Sequence, residues 1–508
     1  MSDQISIEPQ DEYNRTLAAN VHPADWVNPT PAGRYNLAVI GAGSAGLITA
    51  IGAAGLGAKV ALIERGLMGG DCLNHGCVPS KAIIGAAHAA HAVRTASDFG
   101  VRVPDGVEVD FGAAMARMRR IRSDISGHDS ARRFQDLGVD VFLGNATFLD
   151  NTHIDVDGTT LEFSRAVIAT GARAFVPPIP GLDAVDYLTN ETTFSLTERP
   201  ERLAVLGGGP IGCELAQAFQ RLGSQVTLID LAPEILPRED ADAARFVRES
   251  MARDGVAFVT GARIQRVERA GGVTRIHVER DGAASTIEAD ALLVAVGRAP
   301  NVDGLNLEAV GVNYTAQAGV EVDDTLRTTN PRIYACGDVC LAEKFTHMAD
   351  ASARIVIRNT LFPFLPKARY SKLTIPWVTY TAPEIAHVGL SEREASEKGI
   401  AIDTITVPLA ENDRAKLDGE TAGLLKVHVA RGKDRILGAT LVSAHAGESI
   451  SELTLAITQG IGLSKLSGVI HPYPTQAEVL KRAGDAMMKR RFKPWIAKLF
   501  AWIIARQR

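Results

Sequence analysis

Tyr35-Asn36-Leu37-Ala38-Val39-Ile40 is a short, mostly apolar run, the pattern of a strand covered on both faces. It ends at a glycine-rich turn, Gly41-Ala42-Gly43-Ser44-Ala45-Gly46, and enters an alanine-rich stretch of helical length. Apolar text then resumes at Val60-Ala61-Leu62-Ile63-Glu64. The predicted order is strand, turn, helix, strand. The same text recurs later. Leu203-Ala204-Val205-Leu206 leads into Gly207-Gly208-Gly209-Pro210-Ile211-Gly212, then a helical stretch, then Gln225-Val226-Thr227-Leu228-Ile229-Asp230. This internal repeat predicts two domains of one type.

Further along, Asn330 to Cys340 reads as a return to the first domain near residue 320. The second domain is then an insertion into the first. Beyond residue 371, strand-like runs alternate with helix-like ones, as in an α+β domain. The expected boundaries are a polar extension at 1–34, the first nucleotide domain at 35–187 and 319–370, and the inserted one at 188–318. An interface domain at 371–485 and a tail at 486–508 follow. The extension is expected to hold little regular structure, with Trp26 as an anchor. For 508 residues, about 100–200 per domain also gives roughly three domains.

Composition narrows the class. The chain is 46% hydrophobic and 22% charged, with a formal net charge of −5. That balance argues against a general nucleic-acid binder. Five cysteines in so long a chain exclude a secreted disulfide scaffold. No apolar run is long enough for a bilayer span, and the polar N-terminus has no signal-peptide core. The expected location is the cytoplasm.

The repeated turns point to dinucleotides. Gly41, Gly43 and Gly46 follow a strand and open a helix; Gly41 permits the turn, Gly43 admits a pyrophosphate, and Gly46 lets helix pack on strand. Glu64 ends the next strand, where a ribose-binding acid belongs. A lone glycine motif is a weak signal, because incidental turns share it. Strand, helix and acid together make it specific. Gly207, Gly209 and Gly212 repeat the spacing, with Asp230 as the acid. A carboxylate there accepts from a 2′-hydroxyl and repels a 2′-phosphate, which favours NADH over NADPH. Arg238, nearby in sequence, would reverse that preference if it reached the ribose.

Between the two turns lies Gly69-Gly70-Asp71-Cys72-Leu73-Asn74-His75-Gly76-Cys77-Val78-Pro79-Ser80-Lys81. Two cysteines five apart can close one turn of a distorted helix as a reversible disulfide. Lys81, one turn on, supplies a cation that favours a thiolate. Two structural cysteines are the bland alternative, and C-x4-C alone would not exclude it. Cys213, Cys336 and Cys340 read as buried and inert, with a second redox pair at Cys336 and Cys340 as the lesser alternative.

These motifs resemble the pyridine nucleotide–disulfide oxidoreductases, which include glutathione reductase, dihydrolipoamide dehydrogenase and mercuric reductase. The resemblance spans roughly residues 35–485. It also rests on Ala169-Thr170-Gly171, Cys213-Glu214, Val296-Gly297-Arg298-Ala299-Pro300-Asn301, Gly337-Asp338 and Thr381-Ala382-Pro383-Glu384-Ile385. It implies an α/β fold of two Rossmann-like domains, the NAD(P) domain inserted in the FAD domain, plus a C-terminal α+β dimerisation domain. The implied protein is a homodimeric flavoenzyme with FAD and NADH or NADPH. By the same resemblance Glu64 holds the FAD ribose and Asp338 the ribityl chain. Ser44, Ala45, Gly70, Ala146, Thr170, Gly171, Ile211, Gly297, Arg298 and Gly337 fall among the cofactor contacts. Lys81 sits near the flavin, paired with Glu214. Cys77 is the flavin-proximal thiol and Cys72 the interchange thiol.

The acceptor end departs from the disulfide reductases. Their His-Pro-Thr with a following Glu becomes His471-Pro472-Tyr473-Pro474-Thr475-Gln476-Ala477-Glu478. Alignment on Pro474-Thr475 and Glu478 puts Tyr473 at the base position and His471 two residues early. A phenol has a reference pKa near 10, against about 6.5 for imidazole, so exchange of the dihydrolipoamide kind is disfavoured. His471 reads as structural, with substitution for the missing base as the alternative. Tyrosine here resembles mercuric reductase. That enzyme's C-terminal cysteine pair is absent, because no cysteine follows Cys340 or precedes Cys72. The expected acceptor is Hg(II), a small oxidised sulfur species, a low-mass disulfide or a quinone. Dihydrolipoamide dehydrogenase is the runner-up. A non-catalytic flavin redox sensor or membrane-docked binding protein is the reading from another class.

The tail, residues 489–508, carries Lys489, Arg490, Arg491, Lys493, Lys498, Arg506 and Arg508 and no acid. Trp495, Leu499, Trp502 and Ile503 recur near helical spacing. Such a basic amphipathic helix suits either peripheral membrane contact or a cap on a dimer interface.

Overall fold

The first apolar run forms a strand because both its faces are covered. In the computed structural model, which describes residues 6–492 and 494–507, β1 (Tyr35–Ile40) is buried at every position but one. It pairs in parallel with β2 (Val60–Glu64), which pairs in turn with β3 (Val139–Leu143). On its other side β1 pairs in parallel with the end of β4 (Thr159–Ile168). The chain divides into two compact units, and this sheet lies in the first, built from Met1–Gly207, Ala218–Leu231 and Gly261–Lys372. The second unit comprises Gly208–Gln217, Ala232–Thr260 and Leu373–Arg508.

The first unit also holds three parallel strands of the second repeat. These are β5 (Arg202–Leu206), β6 (Gln225–Asp230) and β7 (Ala291–Val294), with β5 between the other two. Strand β8 (Ile333–Ala335) then returns to the first sheet and pairs in parallel with β4, Ile333 opposite Ala166. The return near residue 320 is thus a strand placed beside a partner more than a hundred residues earlier.

Helices α2 (Ser44–Gly55) and α3 (Gly70–Asn74) follow β1 and β2. Next come α4 (Cys77–Arg94) and α5 (Phe111–Ser126). The expectation of little regular structure in residues 1–34 is overturned. Glu12–Val21 form a helix, α1, whose first turn is capped by the Asp11 carboxylate accepting from Asn14 N. Leu17 and Val21 bury their side chains, and that packing stabilises a helix too short to persist alone. Trp26 is an anchor, donating its indole N–H to Val141 O at 3.3 Å.

The second unit is built on a five-stranded antiparallel sheet. Its strands are β9 (Pro376–Thr379), β10 (Glu384–Gly389), β11 (Ile402–Pro408), β12 (Leu424–Ala430) and β13 (Ile436–Ser443), in the spatial order β9-β10-β13-β12-β11. Strand period splits β12 cleanly. Leu425, Val427 and Val429 join an apolar core with Leu453 and Leu480. Lys426 and His428, on the other face, are buried too. The Lys426 ammonium lies 2.6 Å from Asp242, 3.2 Å from Glu392 and 3.4 Å from Asp240. His428 Nε2 is 3.3 Å from Asp240. Burial works against the Asp240 charge, but His428 and Lys426 outweigh it and hold the carboxyl down at about 2. Asp240, Glu392 and His428 bring their ligand atoms close together, but the lysine already supplies the counter-cation.

Next to this cluster Glu239 accepts from the Trp377 indole at 2.6 Å, and its other carboxylate oxygen is buried without a partner. Burial pushes its pKa up to about 7. A carboxyl raised on folding stabilises the protein fully below its unfolded value and loses that contribution as pH rises through 7. Glu239→Gln should therefore gain about 3 kcal/mol over the wild type at pH 8 and little near pH 4.5. Urea unfolding at both pH values measures this, and an equal difference at the two would contradict it.

Candidate functional site

The first glycine turn is shaped by what a side chain would strike. A Cβ on Gly41, whose φ is +101°, would fall 2.4 Å from Ala169 O, and one on Gly46 would fall 1.7 Å from Gly41 O. These two glycines are required by packing. Gly43 is different, because nothing lies nearer than 3.7 Å to its Cβ position. It caps α2 without a side-chain hydrogen bond, so the N–H groups opened by Ser44 and Ala45 face a space that a side chain would fill. A pyrophosphate fits that cradle. Glu64 closes the turn, accepting from Ala42 N at 2.6 Å and Gly66 N at 2.7 Å. Burial raises its pKa while those bonds lower it.

Gly70 links this turn to the redox segment. Its own Cβ would stand 2.6 Å from Gly43 Cα, and Gly43 and Gly69 form a backbone bridge. The presumed redox turn resolves into two helices. Cys72 lies in α3, the helix breaks at His75 and Gly76, and Cys77 starts α4. The two thiols are in hydrogen-bond contact, which with burial pushes Cys72 well up. Cys77 is exposed, with Sγ 3.3 Å from Thr346 Oγ1. Lys81 follows one turn along α4.

Charge around this segment is balanced by residues that spacing alone did not connect. The largely buried Arg298 reaches Asp71 at 3.1 Å and Asp338 at 3.7 Å, and donates to Ala172 O at 2.7 Å. Asn190 donates to Asp71 at 2.9 Å and to His75 O at 3.1 Å. Asp338 is raised by burial, against the pull of Arg298 and Lys344. Arg298 was singled out from its motif, and Asp71 stands visibly beside Cys72. Asn190 and Thr346 lie far away in sequence and gave no signal. Gly337 fits close, its Cβ position 3.0 Å from Ala45 Cβ, while Gly297 is open on that side. Thr170 donates to Asn301 O at 2.6 Å, and Asn301 N donates to Gly171 O at 2.9 Å. Ala146 is an apolar core residue.

Gly207 repeats the Gly41 constraint, with φ +113° and a Cβ position 2.5 Å from Ala295 O. Asp230 ends β6. In the second unit Gly209 has open space at its Cβ position, and the helix Pro210–Arg221 carries Ile211, Gly212 and Glu214. Glu214 accepts from Tyr380 N at 2.8 Å. The Arg238 guanidinium stacks over the Trp377 ring at 5.1 Å.

At the acceptor end His471 is tied at both nitrogens. Nε2 lies 3.1 Å from Glu452 and Nδ1 3.2 Å from Val469 O. Its side chain is only 5% exposed. Tyr473 is 72% exposed, and its hydroxyl donates to Asp413 at 3.3 Å. The Asp413 charge raises its pKa. Glu478 pairs with Arg482 at 3.7 Å and keeps one buried oxygen without a partner.

The other cysteines are buried or half-buried. Cys213 donates to Gly208 O at 3.3 Å. Cys336 is buried against Thr49 and pushed up to about 12, and burial raises Cys340 as well.

The cradle can be tested directly. Gly43 has φ −77° and ψ −175°, a conformation alanine adopts freely. Gly43→Ala should fold but lose bound flavin at least tenfold, read as the visible absorbance per chain. Gly46→Ala should not fold, because its Cβ cannot avoid a carbonyl. Full flavin in Gly43→Ala would refute the placement.

Comparison with known proteins agrees with this fold. Residues 35–354 match the profile of the family described as pyridine nucleotide-disulphide oxidoreductase, and residues 375–484 match its dimerisation domain. The mercuric reductase of Bacillus cereus is 37% identical over 449 residues, covering 88% of this chain and 71% of that one. The dihydrolipoyl dehydrogenase of Thermus scotoductus is 35% identical over 465 residues, 90% of this chain and 98% of that one. The solved HOCl-induced flavoprotein disulfide reductase RclA of Escherichia coli has a TM-score of 0.79 and 31% identity. That match covers 88% of this chain and 99% of RclA, which is also known as a Cu(II) complex. The chain therefore belongs to the pyridine nucleotide–disulfide oxidoreductases, enzymes that use FAD and NAD(P)H.

Proposed function

We propose that this enzyme uses NADH to reduce a soft metal ion held by Cys72 and Cys77, with Hg(II) and Cu(II) as the candidate ions. The observation that carries this reading is the acceptor end. Reduction of a disulfide needs an acid to protonate the leaving thiolate. At pH 7 a phenol with a pKa of 10 or more is ionised on the order of one part in a thousand, so Tyr473 is a poor shuttle. His471, the one imidazole in that segment, is held by Glu452 and Val469. A metal ion needs no such proton. The net reactions are NADH + Hg(II) → NAD⁺ + H⁺ + Hg(0), and NADH + 2 Cu(II) → NAD⁺ + H⁺ + 2 Cu(I).

Thiolates are the ligands soft metals take, and the exposed Cys77 is open to an ion arriving from solvent. Bound FAD would supply the two-electron link between nicotinamide and the thiols. Thr346 offers Cys77 a hydrogen bond, and Lys81 places a cation near its end of α4. Asp230, at the ribose position, supports NADH over NADPH, and Arg238 is engaged on Trp377. The dimerisation domain supports a homodimer.

An anaerobic reoxidation screen tests this reading. Enzyme reduced with NADH should be reoxidised faster by Hg(II) or Cu(II) than by lipoamide, glutathione disulfide or a quinone, and Cys72→Ser should abolish the metal reaction. Tyr473→His should raise disulfide reduction at least tenfold. Lipoamide as the fastest acceptor of the wild type would overturn the proposal.

A second observation concerns the tail. Helix α10 (Pro494–Ala505), reached from α9 (Glu478–Arg491), buries none of its residues. It exposes Trp495, Leu499, Phe500, Trp502, Ile503 and Ile504. Lys493 and Arg508 lie outside the described residues. Arg490 pairs with Asp403 and Arg491 with Asp434, so the root of the tail is fastened to the second unit. Twelve residues extend about 18 Å, short of the roughly 30 Å hydrocarbon core. Among the described residues no helix is long and apolar enough to cross a membrane. With cations near both ends, we propose that α10 lies in the surface of an anionic membrane. Protein should sediment with phosphatidylglycerol vesicles but not phosphatidylcholine vesicles, and lose that binding when 493–508 are deleted. Indifference to phosphatidylglycerol would end the idea, and a shift from dimer to monomer on deletion would assign α10 to the partner subunit instead.

A further inference from the structure

The N-terminal strap lies outside the family match, which begins at residue 35, yet it grips the segment that carries Cys72. At one end of that segment His22 Nδ1 lies 2.7 Å from Gly66 O, and Met68 N donates to Val21 O at 3.1 Å. At the other end the contact runs through Arg122 of α5. Its guanidinium donates to Asn74 O at 2.7 Å and to Asn14 Oδ1 at 2.7 Å. Asn74 closes the segment on itself, donating its side-chain amide to Met68 O at 3.0 Å and Gly70 O at 2.8 Å. Asn14 is held in turn, donating to Pro9 O at 2.8 Å. Asp11 pairs with Arg119, one turn from Arg122. Asn14, Asn74 and Arg122 are each at most 2% exposed.

Water cannot replace these bonds. A buried guanidinium that loses an acceptor must find another or move. The nearest thing it can move is the Asn74 carbonyl, two residues beyond Cys72 and three before Cys77. We infer that Asn14, acting through Arg122, is a positioning residue that sets the geometry of the Cys72–Cys77 pair. This rests on the reading of those cysteines as the redox couple. In the reduction of that couple, two electrons and two protons convert the disulfide to two thiols. The strap adds no reactant to this step and fixes only the separation and exposure of the two sulfurs.

The test uses the full-length flavin-loaded enzyme. Asn14→Leu fills the space but gives Arg122 no acceptor. Asn14→Asp restores an acceptor oxygen. Asn28→Ala loosens the same strap elsewhere, where Asn28 exchanges hydrogen bonds with the Leu143 backbone at 2.7 and 3.0 Å. After reduction with NADH, the iodoacetamide alkylation rate of Cys72 is measured by mass spectrometry. The dithiol-to-disulfide ratio is then read at equilibrium in a thiol redox buffer.

Asn14→Leu should change both quantities at least threefold, and Asn14→Asp should return them towards the wild type. Asn28→Ala should lower the melting temperature and leave both unchanged. If Asn14→Leu lowers only the melting temperature, or if Asn28→Ala shifts the ratio equally, the strap is merely structural and the inference fails. Failure of the redox reading itself looks different, because Cys72→Ser would then leave NADH-driven turnover intact.

Discussion

The backbone of Gly43 passes against the backbone of Gly70, and the arrangement of the first unit's glycine turn and cysteine segment depends on that approach. A single Cβ on Gly70 would stand 2.6 Å from the opposite Cα, so the Gly70 segment cannot thicken on that side. The contact joins the turn that would hold a pyrophosphate to the turn that carries Cys72. The link between the two turns is built into the backbone and does not rely on flexible side chains. Gly41 and Gly46 serve the same end by letting strand, turn and helix pack without side chains between them.

Close packing at this junction concentrates charge, and the chain handles it with shared cations. Arg298 stands between Asp71 and Asp338, so the redox segment and the predicted ribityl-binding acid draw on one guanidinium. Arg122 does the equivalent on the other side, with the Asn74 carbonyl and an amide from the N-terminal strap. The second unit repeats the device with Lys426 among Asp240, Asp242 and Glu392. A buried cation with several acceptors is costly to disturb and specifies one arrangement. That cost fits a site where small displacements change reactivity.

The repeat, both glycine turns and the close approach of Cys72 and Cys77 were legible in the sequence because each depends on neighbours within one supersecondary unit. The return of the chain to the first sheet was legible too, as a motif out of its expected place. What escaped was decided at long range. Thr346 and Asn190 meet the redox segment only because the chain folds back, and no local spacing marks them. Helix α1 was missed for a related reason: its stretch is polar overall, and only Leu17 and Val21 pay for burial once α5 is there to receive them. Arg238 shows the opposite case, a sequence neighbour of Asp230 whose guanidinium is occupied by an aromatic ring.

On the proposed reading, the tyrosine at residue 473, where the disulfide reductases carry a histidine, sets the acceptor chemistry. The family machinery delivers two electrons to a pair of sulfurs, and this is independent of what happens next. A disulfide acceptor then requires a proton at the departing sulfur, whereas a thiophilic cation does not. A phenol at that position would make a poor proton shuttle and would leave electron delivery unaltered. The nearby imidazole has both ring nitrogens engaged, by Glu452 and the Val469 carbonyl. Tyr473 is exposed, and its hydroxyl donates to Asp413. On the proposed reading, electron supply and acceptor choice are separable, the first resting on the cofactor and the cysteine pair and the second on residue 473.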